Sequence, residues 1–339
     1  MNTHPAHQLR RREVLALATA LGAAGWLGLR HNVDAVEASL ETKRIRLTHR
    51  TSICVAPQYI AEEFLRMEGF SAVEYLPIGS RDTLDAVADG RVDMTLVDAH
   101  SLIPYLDAGK PLLVLSGVHG GCYQVFGHDS VRAIRDLKGK TVAIHYFGGG
   151  DHILLSSMLT YVGLNPKEVN WVTGRDVRNA MDLFIEGKAD AFAGFAQEPA
   201  ELRARKIGKV IVDTGRDRPW SQYFCCMVVA NRDFVTRNPV ATKRALRSIL
   251  KASDICDADP ERVARFLFEM RYEPRYPIAL EVMKNVQYSR WRDANPEDTL
   301  RFHSLRLREG GMLKSTPQQL IARGTDWRFL NEVKLELKA

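Results

Sequence analysis

No cysteine of this 339-residue chain stands in a CxxC pair, and the five present, Cys54, Cys122, Cys225, Cys226 and Cys256, follow no metal-ligand spacing. An odd number cannot all pair internally, so buried, unpaired thiols are expected rather than a disulfide framework. In the run Tyr223 to Ala230 the strand period points neighbouring Cys225 and Cys226 to opposite faces. No Lys/Arg run interleaved with aromatics follows the N-terminus, and a net charge of +6 is small for this length, which excludes nucleic acid as a partner. A nucleotide-binding glycine loop is absent, as are low-complexity tracts and long linkers. What remains, at 45% hydrophobic and 26% charged residues, is the composition of a soluble globular protein with room for two domains.

The first 38 residues differ from the rest. Arg10-Arg11-Arg12 precede an uncharged run, Val14 to Leu29, and Val36-Glu37-Ala38 offers a small-residue cleavage site before Ser39. The order Arg11-Arg12-Glu13-Val14-Leu15 resembles a twin-arginine export signal. A periplasmic protein beginning near Ser39 is expected, with an uncleaved membrane anchor as the alternative; the run is short of the roughly 20 residues of a comfortable span.

The chain then repeats itself. Leu84 to Met94 (LDAVADGRVDM) is echoed at an offset of 97 residues by Met181 to Ala191 (MDLFIEGKADA). Each copy is a helix ending on glycine, a basic residue and an aspartate, then an apolar strand. At the same offset, Ile45 to Thr48 precedes Val142 to His145, and each leads through a loop of small residues into a helix and a second strand. Two βαβ lobes in tandem are expected, facing one another across a cleft at the carboxyl ends of their parallel strands. Leu112 to Ser116 predicts a further strand, broken at Gly117 to Cys122 where the chain crosses between lobes. Trp220 to Ala230 predicts the return crossing.

After Asn231 only helices are expected. Asn238-Pro239, Asp259-Pro260, Asn295-Pro296 and Thr316-Pro317 each open one, a polar cap followed by proline. The expected division is an export signal at 1–38, a first lobe at 43–118, a crossing at 119–130, a second lobe at 131–219, and a return crossing with a helical tail on the first lobe at 220–339.

These features together resemble a known family. The leader, the duplicated lobes, Asp136-Leu137-Lys138-Gly139-Lys140-Thr141-Val142-Ala143, Glu186-Gly187-Lys188-Ala189-Asp190-Ala191 and the tail opening at Asn238-Pro239-Val240 are similar to the extracytoplasmic solute-binding proteins of ABC importers. The branch is the one that includes sulfonate, taurine, nitrate and thiamine-pyrimidine-precursor binders. The resemblance implies an α/β, two-lobed periplasmic binding protein fold (type II) with a two-strand hinge. It also implies one small-molecule solute in the cleft, partnership with an ABC permease and a cytoplasmic ATPase, no cofactor and no catalysis; a monomer suits that mechanism. An enzymatic alternative comes from the pyrimidine synthases of the same fold, whose cysteine cluster is only partly matched by Phe224-Cys225-Cys226-Met227. A transcriptional sensor would need a DNA-binding helix-turn-helix before Lys43, where the apolar leader stands.

Loops at the strand ends supply the candidate ligand-binding residues. From the first lobe these are Thr51, Ser52, Pro57, Asp98 and His100; Gly121 adds the crossing. From the second come Phe147, Gly148, Gly149, Gly150 and Asp151, then Phe195, Gln197 and Glu198. Tyr223 and Phe224 are taken from the return crossing. The triple glycine before a helix suits an anion, or is an αL-rich turn with Asp151 capping its own helix. Asp98 and Glu198 would prefer an amine or N–H-rich heterocycle, though Glu198, before Pro199, could simply begin a helix. The aromatics suit a planar ring. The solute expected is therefore planar or nitrogen-containing, with a sulfonate-, taurine- or nitrate-type anion as the alternative. His100 and His152 lack a third ligand for a metal.

Overall fold

Ile45 and Leu47 are fully buried and alternate with the more exposed Arg44 and Arg46 along β1 (Arg44–Thr48), the period-2 pattern of a strand with one face inward. The computed structural model describes residues 38–50, 52–174 and 179–338. The expected export signal therefore lies outside the described residues but for Ala38, and Thr51 is outside them as well. Among the described residues no helix is long and apolar enough to cross a membrane.

From β1 the chain runs through α1 (Ala56–Met67), β2 (Ala72–Leu76), α2 (Thr83–Ala88), β3 (Met94–Asp98), α3 (Ala99–Asp107) and β4 (Leu112–Gly120). It crosses to the second lobe at Gly121 and Cys122. There it forms β5 (Tyr123–Gly127), β6 (Thr141–Ile144), α4 (Gly150–Tyr161), β7 (Asn170–Thr173), α5 (Asn179–Ile185), β8 (Ala191–Phe195), α6 (Gln197–Arg205) and β9 (Lys209–Asp213). The return strand β10 (Phe224–Asn231) lies between β3 and β4, antiparallel to both. Every residue of β10 is buried, as in a central strand covered on both faces.

The second lobe is a five-stranded sheet in the order β7-β6-β8-β5-β9. The first has the parallel pair β1-β2 beside the sheet β3-β10-β4. A hydrogen bond from Asp93 N to Arg46 O (2.9 Å) joins β1 to the start of β3, and Thr48 Oγ1 lies 2.5 Å from Thr95 Oγ1. Both lobes thus place three parallel strands beside one antiparallel strand arriving from the other lobe.

The duplication extends to side chains. Arg46 N donates to Asp93 Oδ2 (2.7 Å), and Thr141 N donates to Asp190 Oδ2 (2.8 Å). Asp93 and Asp190 are 97 residues apart, but Arg46 and Thr141 are 95 apart. The 97-residue offset holds for the second half of each repeat, while the first strands align two residues away from it. A two-residue difference keeps the inward and outward faces, so the sequence pattern alone does not expose it.

Two other expectations are corrected. β4 does not break at Gly117 but continues to Gly120, because β10 follows it through register shifts and Gly117 leaves room for the Phe224 ring. The helical tail, α7 (Arg232–Arg237), α8 (Pro239–Ala258), α9 (Pro260–Glu269), α10 (Tyr276–Asn285), α11 (Pro296–Glu309), α12 (Pro317–Gly324) and α13 (Arg328–Glu336), does not serve the first lobe alone. While α8 packs on α1, α10 reaches α6 and α11 lies against both α3 and α4.

The two crossings run side by side. Tyr123 N donates to Thr214 Oγ1 (3.1 Å) and Thr214 N to Tyr123 O (3.0 Å). Gly121 has φ +48°, and a Cβ there would collide with the backbone of Gly215. A disulfide between Cys122 and Cys225, with Cα atoms 6.3 Å apart, joins the crossings directly. This overturns the expectation that all five thiols are unpaired: the partners, 103 residues apart in sequence, meet only because both crossings share the hinge. Cys54, Cys226 and Cys256 are free and buried.

Candidate functional site

The carboxyl ends of β1, β3, β6 and β8 converge on a cleft with an outer mouth of about 440 Å³, the size of a small-molecule site. Behind it an inner chamber of about 30 Å³ has room for only a water or two. Arg50, Ser80, Asp98 and Tyr146 border both. The mouth is walled by Tyr105, Tyr146 and Phe147, the last 62% exposed. Arg81 stacks over the Tyr146 ring at 5.1 Å. The Arg50 guanidinium donates to Leu96 O at 3.4 Å, and among the described residues neither arginine has a carboxylate partner.

Inside the second lobe, His145 follows β6 and is held between two acids. Its Nδ1 is 2.9 Å from Asp151 Oδ2 and its Nε2 2.8 Å from Glu198 Oε1. Its backbone N–H also donates to Asp151 Oδ2 (2.6 Å), while Glu198 Oε2 accepts from Phe195 N (3.1 Å). Burial opposes charge on the ring, but the attraction of Glu198 and hydrogen bonds to both carboxylates hold its pKa well above the ordinary histidine value. His145 thus bridges two acids, both of which its ring already engages. Ala196, with φ +52°, makes the sharp turn from β8 into α6 that brings Phe195 to the cleft and Glu198 onto His145 behind it.

Asp151, Phe195, Gly150 and Ser52 line the inner chamber, and Phe147 and Gly148 the mouth. Asp151 does not cap its own helix; it fixes His145. Two donors of the glycine loop are spent internally, Gly148 N on His152 Nδ1 (3.1 Å) and Gly149 N on Tyr146 O (3.0 Å). Gly150 borders Asp98 and the Tyr123 hydroxyl, and any Cβ there would strike both. Gly148, at φ +81°, needs glycine for its backbone.

Asp98 caps α3, with Oδ1 accepting from Ser101 N (2.8 Å) and Oδ2 from Ser101 Oγ (2.7 Å). His100 is buried behind it against His303, ring centroids 4.6 Å apart. Burial pushes its pKa down to about 4, against the pull of Asp98. His303 Nδ1 lies 3.0 Å from Ser157 Oγ of α4.

The remaining expected residues stand away from the cleft. Pro57 is buried in the first turn of α1, Tyr223 stacks on Phe302, and Phe224 packs over Gly117. Gly121 serves the hinge. Gln197 is in α6 with its Oε1 buried and unpartnered. The sequence reading missed His145, Arg50, Ser80, Arg81, Tyr105 and Tyr123. A positional signal existed for His145 and Arg50, each just beyond a parallel strand; Ser80, Arg81, Tyr105 and Tyr123 arrive from elements whose approach only the fold sets.

Sequence spacing showed no metal set, yet folding brings Cys54, His119 and Cys226 together at the inner end of the cleft.

The profile of the family described as NMT1/THI5 like matches residues 52–263. Over 220 residues the chain is 24% identical to the 4-amino-5-hydroxymethyl-2-methylpyrimidine phosphate synthase THI12 of Saccharomyces cerevisiae, a match covering 60% of this chain and 64% of that one. It thus spans less than two thirds of that relative. The periplasmic nitrate-binding protein NrtA of Synechocystis PCC 6803 superposes with a TM-score of 0.72 at 18% identity, covering 89% of this chain and 90% of that one. The alkanesulfonate-binding protein SsuA of Xanthomonas axonopodis pv. citri, bound to MOPS, gives 0.68 at 15%, covering 85% and 100%. At these identities the likeness establishes the fold, that of periplasmic binding proteins.

Proposed function

The chain belongs to the NMT1/THI5-like family, and on that footing we propose that it is the solute-binding component of an ABC import system. It works outside the cytoplasmic membrane, closing on one small solute and presenting it to a membrane permease powered by a separate ATPase. The observation that carries this reading is the cleft itself: aromatic walls from both lobes, with Arg50 and Arg81 free of carboxylate partners among the described residues.

Two carboxylates in the cleft, Asp98 and Asp151, and a third behind it, Glu198, bear on the choice of solute. Asp151 and Glu198 are engaged by His145 and Asp98 only by the neutral Ser101, so Asp98 alone keeps an uncompensated charge at the cleft, where two arginines face it. A planar solute, stacked among Tyr105, Tyr146 and Phe147 with an anionic group toward the two arginines, fits best.

A synthase reading has one observation in its favour, the yeast relative. We favour binding because Asp151 and Glu198 both spend a carboxylate oxygen on the ring of His145 rather than facing the cleft as a free base.

The test is a thermal-shift and calorimetric screen against planar carboxylates, pyrimidines, sulfonates, nitrate and amines, repeated on Arg50→Gln and Arg81→Gln. Binding of a planar anion that weakens tenfold or more in either variant supports the proposal. Binding confined to amines, or unchanged in both variants, overturns it.

A further inference from the structure

We propose that Cys54, Cys226 and His119 form a zinc(II) site at the inner end of the cleft, with the fourth coordination position open toward the chamber. This goes beyond solute capture and does not depend on it.

The sheet builds the site. Cys226 on β10 pairs with His119 on β4 and, on its other side, with Asp98 on β3. Cys54 enters from the short turn after β1. The Sγ atoms of Cys54 and Cys226 are 4.0 Å apart. With a ring nitrogen of His119, these ligand atoms all lie within 4.8 Å of one another. Two thiolates on a tetrahedral zinc, each about 2.3 Å from the metal, stand about 3.8 Å apart, so the native spacing needs little adjustment.

A second observation points to a ligand. His119 is fully buried, and its Nε2 makes no hydrogen bond of good geometry, while its ring interacts with the Cys54 thiol. An imidazole nitrogen so placed in the interior is costly, and coordination would satisfy it. Its Nδ1 lies 3.3 Å from Gly120 O, the backbone contact that typically fixes the tautomer of a metal-bound histidine.

The chemistry of the set is selective. Two thiolates and an imidazole suit zinc, whereas magnesium and calcium require oxygen. The neighbouring Cys122 and Cys225 are bonded to each other and so supply no thiolate. Cys54 and Cys226 line the chamber, which gives the ion a route in through the cleft. Binding releases the thiol protons to solvent.

The test titrates the non-reduced, purified chain with Co²⁺, a spectroscopic stand-in for Zn²⁺, then displaces it with Zn²⁺. One Co²⁺ per chain with a thiolate-to-cobalt charge-transfer band is expected. The band should be roughly halved in Cys54→Ser and in Cys226→Ser, with affinity lowered about tenfold or more in both and in His119→Gln. Cys256→Ser, a free buried cysteine outside the set, should bind as the parent does. No charge-transfer band, or unchanged binding in Cys54→Ser, overturns the proposal. Should the variants fail to fold, X-ray absorption on the zinc-loaded parent decides: sulfur scatterers at about 2.3 Å support the site, and oxygen or nitrogen scatterers alone overturn it. Solute affinity is measured separately, so loss of metal binding leaves the import reading standing.

Discussion

Asp98, at the end of β3, and Gly150, at the start of α4, meet across the cleft with no room between them for a methyl group. The first belongs to one lobe and the second to the other, so their contact exists only when the lobes are closed. Gly150→Ala should hold the lobes apart. Solute affinity is expected to fall tenfold or more while the melting temperature moves by only a few degrees, and small-angle scattering should report a larger radius of gyration with solute present. A variant that closes and binds like the parent would show that the cleft tolerates the methyl group.

His145 sets a stability limit on the alkaline side. Its pKa in the folded chain is raised above the unfolded value by Glu198 and Asp151 despite burial. Its stabilisation is complete below the unfolded histidine pKa and is lost as pH rises through the folded one. Melting temperature should therefore decline with alkaline pH in the parent and not in His145→Gln. His145→Ala, which leaves two acids in the interior unpaired, should cost about 3–5 kcal/mol, read by denaturant unfolding.

His100 acts in the opposite sense. Burial lowers its pKa to about 4, so below the unfolded histidine value near 6.5 the unfolded chain takes up a proton that the folded chain refuses. Between pH 6.5 and 4 the parent should lose on the order of 3 kcal/mol on this account. His100→Asn should reduce the slope of that acid limb, the buried His303, whose pKa burial also pushes down, carrying part of the rest; an unchanged slope would assign it to other groups.

Much of this was legible in the sequence, and the rest was not, for identifiable reasons. Glycine followed by a basic residue and aspartate marked both helix-to-strand turns, because Asp93 and Asp190 each accept from a neighbouring strand's backbone. The four cap-and-proline pairs each open a helix. Helices without such a pair, Arg232–Arg237, Tyr276–Asn285 and Arg328–Glu336, carried no comparable signal. At the site, sequence could place Asp98, Asp151 and Glu198 at strand ends but not show that each was already engaged. Partners such as His145 and Glu198, 53 residues apart, are set by the fold.

The Cys122–Cys225 disulfide closes a loop of about 100 residues that contains the second lobe. Removing it in a Cys122→Ser/Cys225→Ser variant should lower stability by about 2–4 kcal/mol. Thiol counting on the unfolded, non-reduced chain should find three free thiols, rising to five after reduction; five at the outset would refute the bond.

One helix of the tail has a reach that matters beyond packing. Because α11 rests on α3 from one lobe and α4 from the other, and couples to α4 through His303 and Ser157, the lobes cannot part without α11 letting go of one of them. On the proposed reading, the occupied and vacant states would therefore differ at α11 as well as inside the cleft. A partner touching α11 could sense the cargo without reaching it.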